Sequence, residues 1–307
     1  MRVVFMGSPE FAVPTLRAVL GAEDVVAVVT QPDKPVGRGR KLESPPVKRI
    51  AEGASVPIWQ PKSLRGDDAV TELARLAPDV CVVVAYGKIL PQAILDVPRL
   101  GCLNVHASLL PAYRGAAPIQ WALIRGERET GVTIMKLDAG MDTGPMLLWR
   151  RLAIRDDDTA GTLGARLAAI GAELMVVALE RLKHGSLEET PQEHAAATLA
   201  PRLTKDHGRL DWTRSAREVR DLTRGVDPWP GAWTLLDGEP LKLWSAREVE
   251  GAGEPGTVLG VDRDGLIVAC AQGAVAFAEA QLPGRKRLPT AALVAGRPIP
   301  PGTRLTA

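Results

Sequence analysis

Continuous apolar runs, separated by stretches of helical character, constrain this chain more than any other feature. One run spans Arg2–Met6, a second Val25–Val29 and another Asp79–Ala85. A strand that is apolar at nearly every position is buried on both faces, as in a parallel sheet covered by helices. We therefore predict an α/β fold with a mostly parallel sheet and helices on both faces.

The last third of the chain follows a different pattern. An Asp-Gly turn at 237–238 joins the first two of five short apolar strands, as in a hairpin. The five strands are Ala232–Leu236, Leu241–Ser245, Gly256–Val261, Leu266–Ala271 and Ala274–Ala280. Their spacing predicts a smaller OB-like β-barrel. Residues 185–205 are polar and aperiodic, so we expect a first domain over 1–190, a linker over 191–205 and the barrel over 206–307.

Composition excludes several functional classes. A net charge of +2 on 307 residues is too small for the whole molecule to attract nucleic acid, so any such surface must be local. Three cysteines without a C-x-x-C pair argue against both a zinc site and a disulfide framework, and no metal is expected. The glycine turn at Gly7 lacks the G-x-G-x-x-G pattern of nicotinamide-binding domains. With no signal peptide, we expect a cytoplasmic protein without a membrane partner.

Two polar side chains stand in the otherwise apolar strand Cys102–His106. Because strand side chains alternate between faces, Asn104 and His106 point the same way. A donor amide beside a titratable imidazole suits a reaction in which a carbonyl becomes an oxyanion. The loop Asp138–Gly144 could return a carboxylate, Asp142, to the imidazole. Taken alone, such a pair more often has a buried, hydrogen-bonded structural role.

The segment Gln31–Arg49 carries a local positive charge. It contains six Lys or Arg residues and two acids, with four prolines and two glycines, and a loop of this length inside an α/β domain is often functional. One interpretation is a solvated surface loop. The other is a mobile arm that contacts phosphates through four cations: Lys34, Arg38, Arg40 and Lys41.

Five motifs in order over about forty residues resemble the folate-dependent formyltransferases. They are N-x-H at 104–106, SLLP at 108–111, RGAAPI at 114–119, ETGVT at 129–133 and the D-x-G loop at 138–144. The resemblance implies a Rossmann-like domain that moves a formyl group from 10-formyltetrahydrofolate onto a primary amine. It also implies that folate lies near Ser108, Leu109, Leu110 and Pro111 and near the turn that contains Tyr86 and Ile89.

Two further features are similar to the members of that family whose acceptor is methionyl-tRNA. They are the basic loop TQPDKPVGRGRKLESPPVK and the pattern Asp211-Trp212 followed by Asp227-Pro228-Trp229-Pro230. This resemblance implies initiator methionyl-tRNA as acceptor, bound by the basic loop and the barrel, with tetrahydrofolate as by-product. We expect a monomer.

The resemblance also implies roles for the three polar residues. Asn104 donates to the growing oxyanion, and His106 is its hydrogen-bonding or acid/base partner. Asp142 keeps His106 oriented and protonated, or relays a proton through water; the sequence leaves this open. Two rival functions also stay open, a formyltransferase for another small amine and an RNA-binding protein without catalysis.

Overall fold

The computed structural model describes residues 1–36 and 41–306 of the chain. These residues form sixteen strands and eight α-helices. The strands are β1 Arg2–Gly7, β2 Asp24–Val29, β3 Lys34–Val36, β4 Lys41–Glu43, β5 Ile58–Trp59, β6 Val80–Val84, β7 Cys102–His106, β8 Glu129–Lys136, β9 Met146–Ala153, β10 Ala232–Leu236, β11 Glu239–Val249, β12 Val258–Asp262, β13 Gly265–Ala269, β14 Ala274–Gln281, β15 Leu288–Pro289 and β16 Leu305–Thr306. The helices are α1 Val13–Ala22, α2 Pro46–Gly53, α3 Asp67–Arg75, α4 Gln92–Leu95, α5 Pro118–Ile124, α6 Ala160–Lys183, α7 Ala216–Gly225 and α8 Thr290–Gly296.

The chain divides into two compact units that differ in detail from the predicted boundaries. The first contains Met1–Pro118, Glu129–Ala153 and Gly164–Pro201. The second contains Ile119–Arg128, Ile154–Leu163 and Arg202–Ala307. Most of the predicted linker therefore belongs to the first unit, and two segments assigned to the first domain by sequence belong to the second.

The first unit is built on a seven-stranded sheet in the order β5-β2-β1-β6-β7-β8-β9. The first five strands are parallel, and the pairs β7/β8 and β8/β9 are antiparallel. This confirms the predicted Rossmann-like, mostly parallel sheet. Strand order reverses between β1 and β6, and the loops after the carboxyl ends of parallel strands at such a point commonly bind ligands.

Helices cover both faces of this sheet. On one face, Leu73 of α3 and Ile94 of α4 share a buried core with Cys102. On the other, α6 approaches so closely that a Cβ on Gly171 would lie 2.6 Å from a methyl carbon of Val105. Because Val105 alternates with Asn104 and His106, α6 covers the face opposite to that pair.

Helix α6 has the length and composition of a membrane-spanning helix, but half of its most apolar 18-residue window is buried inside the protein. Core helices of globular domains have the same composition, since both must present apolar side chains all round.

The second unit contains an antiparallel sheet in the order β12-β13-β14-β11-β10-β16, with β15 paired to β14. Two backbone hydrogen bonds join the ends of this sheet. The N–H of Val258 donates to the carbonyl of Thr303 at 2.9 Å, and the N–H of Leu305 donates to the carbonyl of Gly256 at 2.8 Å. The sheet thus closes as a barrel, as predicted. A capping box begins α7, in which Ser215 and Glu218 exchange hydrogen bonds. Helix α8 and the short strands β15 and β16 were not predicted.

The described ends of the basic loop form a two-stranded ribbon, in which β3 pairs with β4. Below it, the Asp33 carboxylate accepts hydrogen bonds from Lys48 at 2.8 Å and from Gln60 at 2.8 Å. The Lys48 ammonium, followed by the Gln60 amide, holds the pKa of Asp33 below its ordinary value. The base of the loop is therefore fixed to the first unit.

Candidate functional site

Strand β7 delivers both polar side chains to the carboxyl edge of the sheet. Asn104 pairs with Val83 of β6 and Met135 of β8, and His106 pairs with Thr133. Both side chains are almost fully buried, with 9% and 5% of their surface exposed. The predicted period-two placement on a single face is confirmed by this register.

The orientation of the His106 ring is set by a main-chain carbonyl. Its Nε2 lies 3.0 Å from the carbonyl oxygen of Tyr113, which can only accept, so Nε2 carries a hydrogen. The other nitrogen, Nδ1, lies 3.7 Å from Oδ2 of Asp142. That distance exceeds a direct hydrogen bond, and the two groups form an ion pair only when the imidazole is protonated. The structure thus brings together the imidazole and the carboxylate that the sequence singled out.

Asp142 is held in place by the loop around it. Its own φ of 55° lies in the left-handed region, which is costly for a residue with a side chain. Its Oδ2 accepts a hydrogen bond from the backbone N–H of Gly115 at 2.8 Å. Within the same loop, Asp138 accepts from the Thr143 hydroxyl at 2.7 Å. At Gly144 the loop passes so close to β8 that an added Cβ would lie 2.0 Å from the carbonyl oxygen of Lys136.

The turn after β7 is fixed by a hydroxyl on the neighbouring strand. Thr133, fully buried on β8, donates to the carbonyl of Ser108 at 2.7 Å and accepts from the backbone N–H of Leu110 at 3.2 Å. The Ser108 hydroxyl donates to the carbonyl of Ala112 at 2.6 Å. These bonds close the turn that leads to Tyr113.

The Asn104 amide stands apart from these networks. Across residues 1–36 and 41–306, no group hydrogen-bonds its side chain, yet the side chain is not sealed from solvent. A nearly buried amide without a partner is poised to donate to an oxygen that arrives with a substrate. In the same part of the chain, no group of three or more His, Cys, Asp or Glu side chains could hold a metal ion.

The residues predicted to contact folate lie in contrasting environments. The Tyr86 side chain is 2% exposed within the core, where burial raises its pKa to about 12 and leaves its hydroxyl without a partner among the described residues. Ile89, three residues on, is 82% exposed. In the SLLP turn, Leu110 is buried, while Leu109 and Pro111 are half-buried. Their assignment to folate stays a prediction.

Of the four predicted tRNA-binding cations, only one has a described side chain. Lys34 is exposed and donates from Nζ to Oε1 of Gln31 at 2.6 Å. Arg38 and Arg40 lie outside the described residues, and of Lys41 only the backbone is described, as the start of β4.

The residues that connect the parts of the site were not predicted from the sequence. Tyr113 and Gly115 act through main-chain atoms, which leave no signature in side-chain chemistry. Gln192 lies in the predicted linker, but its amide nitrogen donates to the carbonyls of Asp142 and Gly144. The motif RGAAPI, which contains Arg114 and Gly115, was the one sequence feature that pointed to this part of the site.

Comparison with known proteins covers nearly the whole chain. A family model described as formyl transferase matches residues 1–179, and one described as formyl transferase, C-terminal domain, matches residues 202–298. A methionyl-tRNA formyltransferase from Geobacter sulfurreducens is 51% identical over 306 residues, which cover 99% of this chain and 96% of that relative.

Two solved structures share the fold. WlaRD, a sugar 3N-formyl transferase in the presence of dTDP and 5-N-formyl-THF, superimposes with a TM-score of 0.69 at 17% identity, covering 93% of this chain and 99% of that one. HypX from Aquifex aeolicus, in complex with tetrahydrofolic acid, gives a TM-score of 0.65 at 20% identity, covering 96% and 47%.

Proposed function

This chain belongs to the formyl transferase family, and we propose that it transfers a formyl group from 10-formyltetrahydrofolate to the free amino group of methionine on initiator methionyl-tRNA. The product is N-formylmethionyl-tRNA, used to start translation. Full-length similarity to a methionyl-tRNA formyltransferase supports the acceptor, and the folate compounds present with two structural neighbours support a folate-type donor. We place the enzyme in the cytoplasm and expect it to act as a monomer without a membrane or a metal.

The observation that carries this proposal is the Asn104 amide, which has no hydrogen-bond partner among the described residues and lies beside the His106–Asp142 pair. The donor supplies an electrophilic formyl carbon attached to N10. As the amine attacks that carbon, the carbonyl oxygen gains negative charge, and Asn104 donates a hydrogen bond to it. Fixed donors of this kind in a site with little water account for a large part of the acceleration in acyl transfer.

His106 and Asp142 are placed to assist the proton transfer that the reaction requires. A bond forms between the amine nitrogen and the formyl carbon, the bond from that carbon to N10 breaks, and one proton passes from the amine to N10. With Nε2 engaged by Tyr113, His106 exchanges protons through Nδ1, which faces Asp142. Asp142 either stabilises the imidazolium or relays the proton through water.

The folate assignment rests on the loops around this edge. Ile89 and Met141 are exposed apolar side chains, on the loop after β6 and in the Asp142 loop. Exposed apolar groups beside backbone polar groups suit a flat heterocycle, which needs both stacking surface and hydrogen bonds. Ser108, Leu109, Leu110 and Pro111 shape the turn between them, and Tyr86 supports the β6 loop from the core.

The tRNA assignment rests on charge and on the second unit. Lys34, Arg38, Arg40 and Lys41 belong to the positively charged loop, which suits phosphates of an acceptor arm. The barrel supplies the remaining contacts.

The deciding experiment compares acceptors at fixed 10-formyltetrahydrofolate. We expect rapid formylation of charged initiator tRNA, slow formylation of elongator methionyl-tRNA and none of free amino sugars. Comparable rates with a small amine and no salt-sensitive tRNA binding would reject the tRNA acceptor in favour of a small-amine formyltransferase. Specific tRNA binding with no transfer to any acceptor would indicate an RNA-binding protein that retains the fold.

A further inference from the structure

Gln192 connects the Asp142 loop to the turn that holds His106. The side chain is buried, with 6% of its surface exposed. Its Nε2 donates to the carbonyl of Asp142 at 2.9 Å and to the carbonyl of Gly144 at 2.7 Å. Its Oε1 accepts two hydrogen bonds from the guanidinium of Arg114, at 3.1 and 2.7 Å.

These four bonds use the whole hydrogen-bonding capacity of the amide. A side-chain amide has two N–H donors and two acceptor lone pairs, and here each is occupied. Reversing the amide would place its NH₂ group against the guanidinium and its oxygen against two carbonyls. The network therefore admits one orientation, and a fully satisfied buried network of this kind is rigid.

Arg114 connects the same network to both catalytic groups. It is also buried, at 7% exposure. The residue before it, Tyr113, offers its carbonyl to His106, and the residue after it, Gly115, donates its N–H to the Asp142 carboxylate. Three consecutive residues thus fix the imidazole, the carboxylate and, through Gln192, the backbone of the carboxylate's own loop.

The surrounding chain holds Gln192 itself in place. Thr190 and Met146 exchange backbone hydrogen bonds of 2.8 Å at the start of β9. Further along, the Thr198 hydroxyl accepts from the backbone N–H of Tyr113 at 2.9 Å. The segment is therefore anchored on both sides of Gln192.

We propose that Gln192 is a positioning residue that sets the place of the Asp142 carboxylate relative to His106, an inference that rests on the proposed formyl transfer. The left-handed φ of Asp142 must be held by its surroundings, and the two carbonyls bound by Gln192 lie at Asp142 and two residues beyond it. Since the carboxylate and Nδ1 are 3.7 Å apart, a small shift of the loop would break their interaction.

Gln192→Glu is the sharpest test because it preserves size and the contact with Arg114. The carboxylate has no N–H to offer the carbonyls of Asp142 and Gly144, so the loop should shift. We expect kcat for initiator methionyl-tRNA to fall roughly 10- to 100-fold, as misplacement of a reacting group by about 1 Å does. The KM for the tRNA should change less than about two-fold, because the substitution moves a reacting group and removes no interaction that holds the bound tRNA equally in the ground state and the transition state. The matched control is Glu193→Gln, which makes the reverse change at the neighbouring, exposed position. This variant should behave as wild type.

A double-mutant cycle separates positioning from general stability. In an Asp142→Asn background, Gln192→Glu should have less than about a two-fold further effect, because the carboxylate it positions is gone. Additive effects, or a defect confined to KM, would overturn the proposal. So would wild-type kcat in a folded Gln192→Glu enzyme. If that variant melts early, Arg114→Lys tests the same network from its other end, since it keeps the charge but loses the forked donation to Gln192 and the contact with His194. Absence of transfer by the wild-type enzyme would instead refute the proposed function.

Discussion

His106 donates from Nε2 to the carbonyl oxygen of Tyr113 at 3.0 Å, and this one bond decides which ring nitrogen faces Asp142. Tyr113 has a φ of 62°, so its carbonyl is presented by a backbone conformation that few side chains favour. If His106 accepts or donates a proton, it therefore does so through Nδ1. The tautomer is fixed by a backbone turn, seven residues beyond the histidine.

Asn104→Ala should reduce kcat by roughly 10²- to 10³-fold, which is the usual loss on removing one oxyanion donor. Since the amide has no partner within residues 1–36 and 41–306, the change breaks no internal hydrogen bond there, and the melting temperature should stay near that of wild type. Steady-state formylation kinetics and thermal unfolding measure the two effects. Turnover close to wild type in a well-folded variant would remove Asn104 from the chemistry.

Thr133→Val should destabilise the first unit through the turn after β7. Valine matches the shape of threonine but can neither donate to Ser108 nor accept from Leu110. Leaving such buried groups unsatisfied costs about 1–3 kcal/mol in the free energy of unfolding. Denaturant unfolding measures this loss, with Thr213→Val, at an exposed turn of the second unit, as a control. An unchanged free energy would show that the turn is held by other contacts.

Asp33 should make the base of the basic loop sensitive to acid. Its pKa is lowered by Lys48 and then by Gln60, so the folded state favours the ionised form. The stabilisation is complete above the ordinary value of 3.8 and is lost as pH falls through the lowered value. We therefore expect Asp33→Asn to be less stable than wild type at neutral pH and the difference to shrink below about pH 4. Unfolding free energies measured across pH test this, and a difference that grows on acidification would contradict it.

Arg38→Ala should lower kcat/KM for initiator methionyl-tRNA while leaving the KM for 10-formyltetrahydrofolate unchanged. If Arg38 contacts a phosphate of duplex-like RNA, the log–log salt dependence of binding should flatten by about one unit. Arg75→Ala, at an exposed arginine on α3, controls for net charge. Wild-type kcat/KM together with a wild-type salt slope would mean that this loop is solvated surface, and the tRNA proposal would then depend on the barrel.

The parts of the molecule that follow from repeating patterns were predictable. Period-two alternation placed Asn104 and His106 on one face, and continuous apolar runs indicated the parallel strands, because both follow from how side chains leave a strand. The barrel was predicted, but the strand β16 that helps to close it was not, since β16 is two residues long and its pairing partner lies far away in the chain.

Gln192 could not have been found in the same way. It lies in a polar, aperiodic segment, and its partners are Arg114, 78 positions away, and two backbone carbonyls about 50 positions away. Hydrogen bonds to main-chain atoms do not select a residue type at the partner position. The sequence of the Asp142 loop therefore does not indicate which residue holds it. The segment that contains Gln192 was predicted to be a linker because it lacks periodicity, although it is ordered by these hydrogen bonds.

The position of Gln192 also has a practical consequence for dissecting this chain. An expression fragment that ends at residue 190, the boundary predicted from the sequence, would contain Asn104, His106 and Asp142. It would lack the Gln192 amide that hydrogen-bonds the Asp142 loop. A fragment ended at Pro201 would retain it, along with Thr198. Weak activity from the shorter piece would therefore say nothing about what the barrel contributes.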